Sequence, residues 1–218
     1  MHNPFNPSSP NASHLGGGVL GRLDFRNQFY TEGSLRAGGL RNSFNGGDLG
    51  ADAAFTSSTA YYGLHLGTGR VTRVSRWASL DLYGKYFWTH QPGDNVTLAG
   101  GDPVSFESVN SHRLRLGSRL TGDYAGVPAT SPVPYIGVPA TSLAPYIGAA
   151  WEHELDGKAR ATTHGFAIDA PSLSGSTGIG ELGLLWKPRR NLSLDFGVQG
   201  YIGQREGCTA SLGAGWVF

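Results

Sequence analysis

The sequence predicts an all-β fold, an antiparallel transmembrane β-barrel, on three observations. Strand-length segments with apolar residues at alternate positions recur along the whole chain. Glycine and aromatic residues are abundant. Long and short connections alternate between the segments. The 218 residues include 34 glycines, 10 phenylalanines, 9 tyrosines and 5 tryptophans, a mixture suited to tight turns and to aromatic girdles at a membrane interface. A net charge of +1 gives no electrostatic ground for a nucleic-acid partner. A single cysteine excludes an intramolecular disulfide framework and any multi-cysteine metal site. No stretch approaches the roughly 20 apolar residues of a membrane helix, so a membrane-spanning form of this chain must be a barrel.

The chain opens on a Pro/Asn/Ser-rich segment, residues 1–14, expected to be irregular. It has neither the basic region nor the apolar region of a signal peptide. The expectation is therefore a fragment, or a true start upstream. Nine strand-like segments follow, at 15–26, 28–41, 59–70, 77–90, 108–120, 144–155, 177–187, 191–203 and 208–218. Each is close to the roughly 9–11 residues that cross a bilayer as a tilted strand. In ASLDLYGKYFWTH, Leu80, Leu82, Gly84, Tyr86 and Trp88 share one face, while Ser79, Asp81, Tyr83, Lys85 and Thr89 share the other; Phe87 breaks the pattern. Next, SHRLRLGSRL sets Leu114, Leu116 and Leu120 against Arg113, Arg115 and Arg119. NLSLDFGVQGYI sets Leu192, Leu194, Phe196, Val198 and Ile202 against Ser193, Asp195 and Gln199. The last segment, CTASLGAGWVF, is apolar at Ala210, Leu212, Ala214, Trp216 and the terminal Phe218.

Energetics assign the faces. An arginine or lysine facing lipid at mid-bilayer costs about 2–4 kcal/mol, so Arg113, Arg115 and Arg119 must face a polar lumen. Asp81, Lys85, Glu152 and Asp195 are expected to line it with them. Leu80, Leu82, Trp88, Leu114, Leu116, Leu194, Phe196 and Val198 are expected to face lipid. Barrels of this class have short inner turns and long outer loops. With the last strand running inward, the long connections 42–58, 91–107 and 156–176 fall outside, as does the short one at 204–207. The short connections near 27, 71–76 and 188–190 fall inside. The exception is 121–143, long and proline-rich. Its cause is a tandem repeat: GVPATSPVPYI (126–136) is followed by GVPATSLAPYI (137–147). A local duplication that expands a loop explains it, and Pro128, Pro132, Pro134 and Pro139 argue against a central strand in the inserted copy.

Read in order, FYTEGSLRAGGLRNSF, SLDLYGKYFWTHQPGD, SHRLRLGSRL, PYIGAAWEHELDGKARATT, DAPSLSGSTGIGELGL and LDFGVQGYIGQREG resemble the C-terminal translocator domain of bacterial autotransporters, the type V secretion family. The resemblance runs from about Gly16 to Phe218. It implies an outer-membrane barrel of twelve antiparallel strands, residues 15–218 here forming part of one, that anchors and helps export an N-terminal passenger domain. The implied partners are outer-membrane lipid, the barrel-assembly machinery and the passenger; no cofactor is implied. Trp216 and Phe218 match the terminal signal by which the assembly machinery recognises such barrels. Nine strands are too few for that barrel, so a partial barrel is expected. The alternative is a small passenger-less barrel acting as a pore or surface adhesin.

Catalytic and metal readings find little footing. In Glu152-His153-Glu154, alternation puts the histidine opposite both carboxylates. The remaining histidines lack metal spacing, and no serine sits in a nucleophile motif. No enzyme activity, catalytic residue or metal site is expected. Cys208 reads as an incidental thiol.

Overall fold

The computed structural model describes residues 11–44, 51–122, 142–168, 172–189 and 191–216. Nine long strands form one antiparallel sheet: β1 (Asn11–Asp24), β2 (Phe29–Phe44), β3 (Phe55–Ser75), β4 (Ala78–Gln91), β7 (Val109–Gly122), β8 (Ser142–Glu154), β11 (Gly175–Arg189), β12 (Leu192–Gly203) and β13 (Gly207–Trp216). Each pairs with its neighbour in chain order. The nine segments read from the sequence coincide with these strands, with shifts at the ends. The strand β1 begins at Asn11 rather than 15. The strand β3 runs to Ser75, because the alternation of Val71-Thr72-Arg73 continues its pairing with β4 through a bulge between Arg73 and Ser75.

The connections follow the expected long and short alternation. On the short side, β3–β4 turns through Arg76 and Trp77, and two residues separate the end of β11 from the start of β12. On the long side, the β4–β7 and β8–β11 connections are not simple loops. They carry β5 (Asp94–Thr97), β6 (Pro103–Phe106), β9 (Ala161–Thr163) and β10 (Phe166–Ile168), which build a second sheet in the order β10-β9-β6-β5. Strands of three or four residues are too short for a period-two signal to register. Backbone bonds from Ala99 to Ala54 and from Gly100 to Asp52 knit the β2–β3 connection to this small sheet. At the same end, the tight β12–β13 connection is flanked by Gly203 (φ +115°) and Gly207 (φ +129°), where a side chain would be strained. The repeat's residues 126–141 and Phe218 lie outside the described residues; Ser142–Ile147 of its second copy open β8.

Burial is inverted relative to a water-soluble domain. Tyr30 and Glu152, each 2% exposed, are the largest fully buried side chains among the described residues, and Glu154, Glu181, Thr177 and Lys187 are buried as well. Leu82, Leu114, Leu116, Trp151, Leu182, Phe196 and Leu212 are exposed. A chain in water buries leucine before glutamate. A barrel in lipid does the reverse. Register carries the inversion across the sheet: Leu80, Leu120, Ile147, Leu182, Val198 and Ala210 form one cross-strand row.

The sheet is curled as a half-barrel with the polar face inside. Long side chains on that face span a whole intervening strand. Tyr30 of β2 lies across Gly69 of β3 and donates to Asp81 Oδ2 of β4 at 3.0 Å. Tyr146 of β8 lies across Gly183 of β11 and donates to Asp195 Oδ1 of β12 at 3.1 Å. A Cβ at either glycine would meet the ring, so a methyl group there would displace a bonded tyrosine. The strands β1 and β13 are the two edges, with no pairing between them among the described residues.

Candidate functional site

The site is the polar face itself. Alternation along each strand and register between strands put Asp81, Lys85, Arg113, Arg115, Arg119, Glu152 and Asp195 on this one face. The same registers put Leu80, Leu82, Trp88, Leu114, Leu116, Leu194, Phe196 and Val198 on the other, with Trp216 beside Leu192 at its far edge.

Two charge clusters occupy the polar face. The first spans β1 to β4 around Glu32. Lys85 Nζ stands 2.7 Å from Glu32 Oε1, Arg22 Nη1 stands 3.3 Å from Oε2, and His65 Nε2 stands 3.4 Å from Oε1. Arg22 also lies over the Tyr30 ring at 3.4 Å, adding a cation–π contact to a ring already held by Asp81. The second cluster spans β7 to the β12–β13 turn. Glu152 accepts from Arg115 Nε at 2.8 Å and from Arg205 Nη2 at 2.5 Å, with Arg113 Nη1 at 3.6 Å. Arg119 grips Glu181 with two bonds, Nε to Oε1 at 2.6 Å and Nη2 to Oε2 at 3.0 Å, the fork geometry that makes arginine–carboxylate pairs strong and directional. Gln199 Nε2 donates to the same carboxylate at 3.3 Å. Glu154 is satisfied differently, accepting from the Ser111 hydroxyl and the backbone N–H of His112.

Phe87 joins the clusters. It breaks the alternation by hydrophobicity, yet its position in β4 places it on the polar face. There it stacks on His65 at 4.8 Å, with the guanidiniums of Arg113 and Arg115 at 5.5 and 5.1 Å. Position parity was the signal that identified its face. Arg205 had no such signal: it sits in a turn, and only the tertiary fold brings it to Glu152. Tyr30, Tyr146 and Arg22 were likewise absent from the expected set. His153 points away from Glu152 and Glu154 and bonds Ser176 Oγ through Nδ1 at 3.0 Å, so the three do not converge.

These carboxylates are paired and hydrogen-bonded, and the face that bears them lines the inside of the curl. It presents a wall of fixed charges of both signs to the interior of the curl. A model of the autotransporter β-domain family matches residues 6–199. The chain belongs to the autotransporter β-domain family. Two solved structures agree. The β domain of the Bordetella autotransporter BrkA superposes with a TM-score of 0.68 at 16% identity, covering 100% of this chain and 78% of that one. The translocator domain of autotransporter NalP from Neisseria meningitidis gives 0.55 at 15% identity, covering 97% and 71%. No curated protein matches the sequence. At these identities the two structures speak to the fold, and the family match speaks to the role: this β-domain is of the outer-membrane translocator type.

Proposed function

We propose that this β-domain sits in the bacterial outer membrane with its apolar face on lipid and its polar face lining a passage, where it anchors an N-terminal passenger domain and helps export it. The observation that carries the reading is the segregation of the two faces. Every carboxylate of the nine long strands lies on the inside of the curl, and the leucine rows lie outside. The chain-level partners are outer-membrane lipid, the barrel-assembly machinery and the passenger.

The edges set a condition on closure. Nine is odd, so β1 and β13 run in the same direction. An antiparallel closure takes an odd number of added strands, and three would complete the twelve of the family. Unpaired backbone groups in lipid cost several kcal/mol each, so the edges are covered in the inserted state. Within the 126–147 duplication, the described residues Ser142–Ile147 belong to β8, and Tyr146 among them stands on the polar wall, bonded to Asp195.

Trp216 and Phe218 form the assembly signal on this reading. Deleting Phe218 is expected to lower the fraction of the chain recovered in the outer membrane several-fold, measured by membrane fractionation and heat-modifiable gel mobility. Deletion of an exposed loop residue such as Gly165 serves as the control. Equal recovery of the two deletions would remove the signal assignment and weaken the outer-membrane reading with it.

A further inference from the structure

Arginines gather at the end of the sheet that bears the short turns. Arg26, Arg70, Arg73 and Arg76 are exposed there. Residues 25–31 and 65–80, which carry them, contain no aspartate or glutamate. The flanking carboxylates are engaged elsewhere: Asp24 meets Arg22 at 3.1 Å, Glu32 meets Lys85 at 2.7 Å, and Asp81 accepts from Tyr30. The β3–β4 hairpin is the centre of this cluster. Arg73 donates to the carbonyls of Ser75 and Arg76, each at 3.3 Å, and Arg76 lies over the Trp77 ring at 4.8 Å. The β1–β2 turn, with Arg26, lies alongside, joined by the bond from the Val71 N–H to the Gln28 carbonyl at 3.0 Å.

Register places Arg70 on the apolar face. It pairs with Phe29 of β2 and with Leu82 of β4, and its guanidinium lies over the Phe29 ring at 5.5 Å. An outward-facing arginine is costly at the bilayer midplane and tolerated at its boundary. The length of β2 puts Arg70 at that boundary. Phe29, its partner, and Arg41 stand twelve residues apart on the same face of β2. Twelve steps of about 3.3 Å, tilted by roughly 40°, span about 30 Å, the thickness of the hydrocarbon core. Thr31, Gly33, Leu35, Ala37 and Gly39, the residues between them on that face, are uncharged. The β3–β4 hairpin then continues past Arg70, beyond the hydrocarbon. Phe29 and Trp77 are both exposed at this end, and tryptophan is a residue favoured at headgroup level.

We infer that the β3–β4 hairpin and the β1–β2 turn form a basic foot that binds the anionic phospholipid surface of the leaflet on the short-turn side. Arg70 stands at the boundary, where headgroup phosphates begin. Arg73, Arg76 and Arg26 follow it into the negative potential of that surface, which attracts each nearby cation. A bilayer surface is an extended field of anions, so these arginines need a common depth and not a single shared ligand. Phe29 and Trp77 add interfacial anchorage beside the charges. With no carboxylate in either segment, nothing local repels the lipid phosphates. The foot names the headgroup chemistry at one edge of the leucine face, and it rests on the reading that this face meets lipid.

The test places a fluorophore beside Arg70. Thr72 pairs with Leu80 on the apolar face, and T72C in a C208S background is labelled with bimane. The full chain is reconstituted in phosphatidylcholine vesicles. The quencher is phosphatidylglycerol or, separately, phosphatidylcholine, each brominated near the carbonyl end of its chains. Phosphatidylglycerol is expected to reach half-quenching at a mole fraction about fivefold lower, the factor that one surface cation supplies. That advantage is expected to vanish in 1 M salt, where the Debye length falls to about 3 Å. R70Q/R73Q/R76Q is expected to lose it while keeping phosphatidylcholine quenching and β-sheet circular dichroism. R70K/R73K/R76K is expected to keep it, because the surface potential acts on charge and not on the guanidinium fork. Equal quenching by the two lipids, or a preference that survives the glutamine variant, would overturn the foot and leave the lipid-facing reading standing. A label quenched by neither lipid would overturn both.

Discussion

Replacing Glu152 by glutamine is expected to lower the unfolding free energy of the refolded protein by about 3 kcal/mol. Glu152 is the shared partner of Arg113, Arg115 and Arg205, and its side chain is almost fully buried. Glutamine keeps the size but removes the charge, leaving three guanidiniums packed together with one neutral amide oxygen between them. Breaking a buried pair by removing one member costs about 3–5 kcal/mol, since the remaining charge keeps its desolvation penalty. The arginines here retain 18–32% side-chain exposure, which puts the loss at the lower end. Urea titration of the protein in vesicles, followed by tryptophan emission, measures it. The control is E107Q. Glu107 meets Arg160 at 3.9 Å with both side chains exposed, and its loss is expected to stay within about 0.5 kcal/mol. Equal effects of the two variants would mean that the polar face is solvated like an ordinary surface.

Leu116→Arg is expected to cost about 2–4 kcal/mol in a bilayer. Leu116 is 60% exposed, pairs with Gly84 and Trp151, and sits in the middle of β7. Its neighbour Arg115 already carries a guanidinium one residue away, on the face where Glu152 receives it. A one-residue shift of the same group thus separates a stabilising contact from an expensive one. Gln199→Arg, on the polar face and 3.3 Å from Glu181, is expected to change stability by less than about 1 kcal/mol. The same urea titration in vesicles reads both variants. A harmless Leu116→Arg would place lipid elsewhere than on the leucine rows.

The long strands and their faces were legible because side-chain alternation is a local property of extended backbone. Nothing beyond the strand itself is needed to set Leu114 against Arg115. Phe87 shows the limit of reading by residue type: position assigned it correctly to the polar face, while its hydrophobicity argued the other way. Contacts made across strands were out of reach. Arg205 meets Glu152, and Tyr146 passes over Gly183 to Asp195, only through the curl of the sheet and the register of four strands. The short strands of the outer sheet were missed because three residues hold less than two periods.

The separation of the faces is tested most directly by a cysteine scan along β7 in a C208S background. Residues 113–120 are replaced singly in the full chain reconstituted in vesicles. Each position is then probed with a water-soluble maleimide and with a lipid-soluble one. Positions 113, 115, 117 and 119 are expected to react with the first, and 114, 116, 118 and 120 with the second, in strict alternation. A uniform labelling pattern, or one with the parities exchanged, would contradict a membrane barrel with a polar interior.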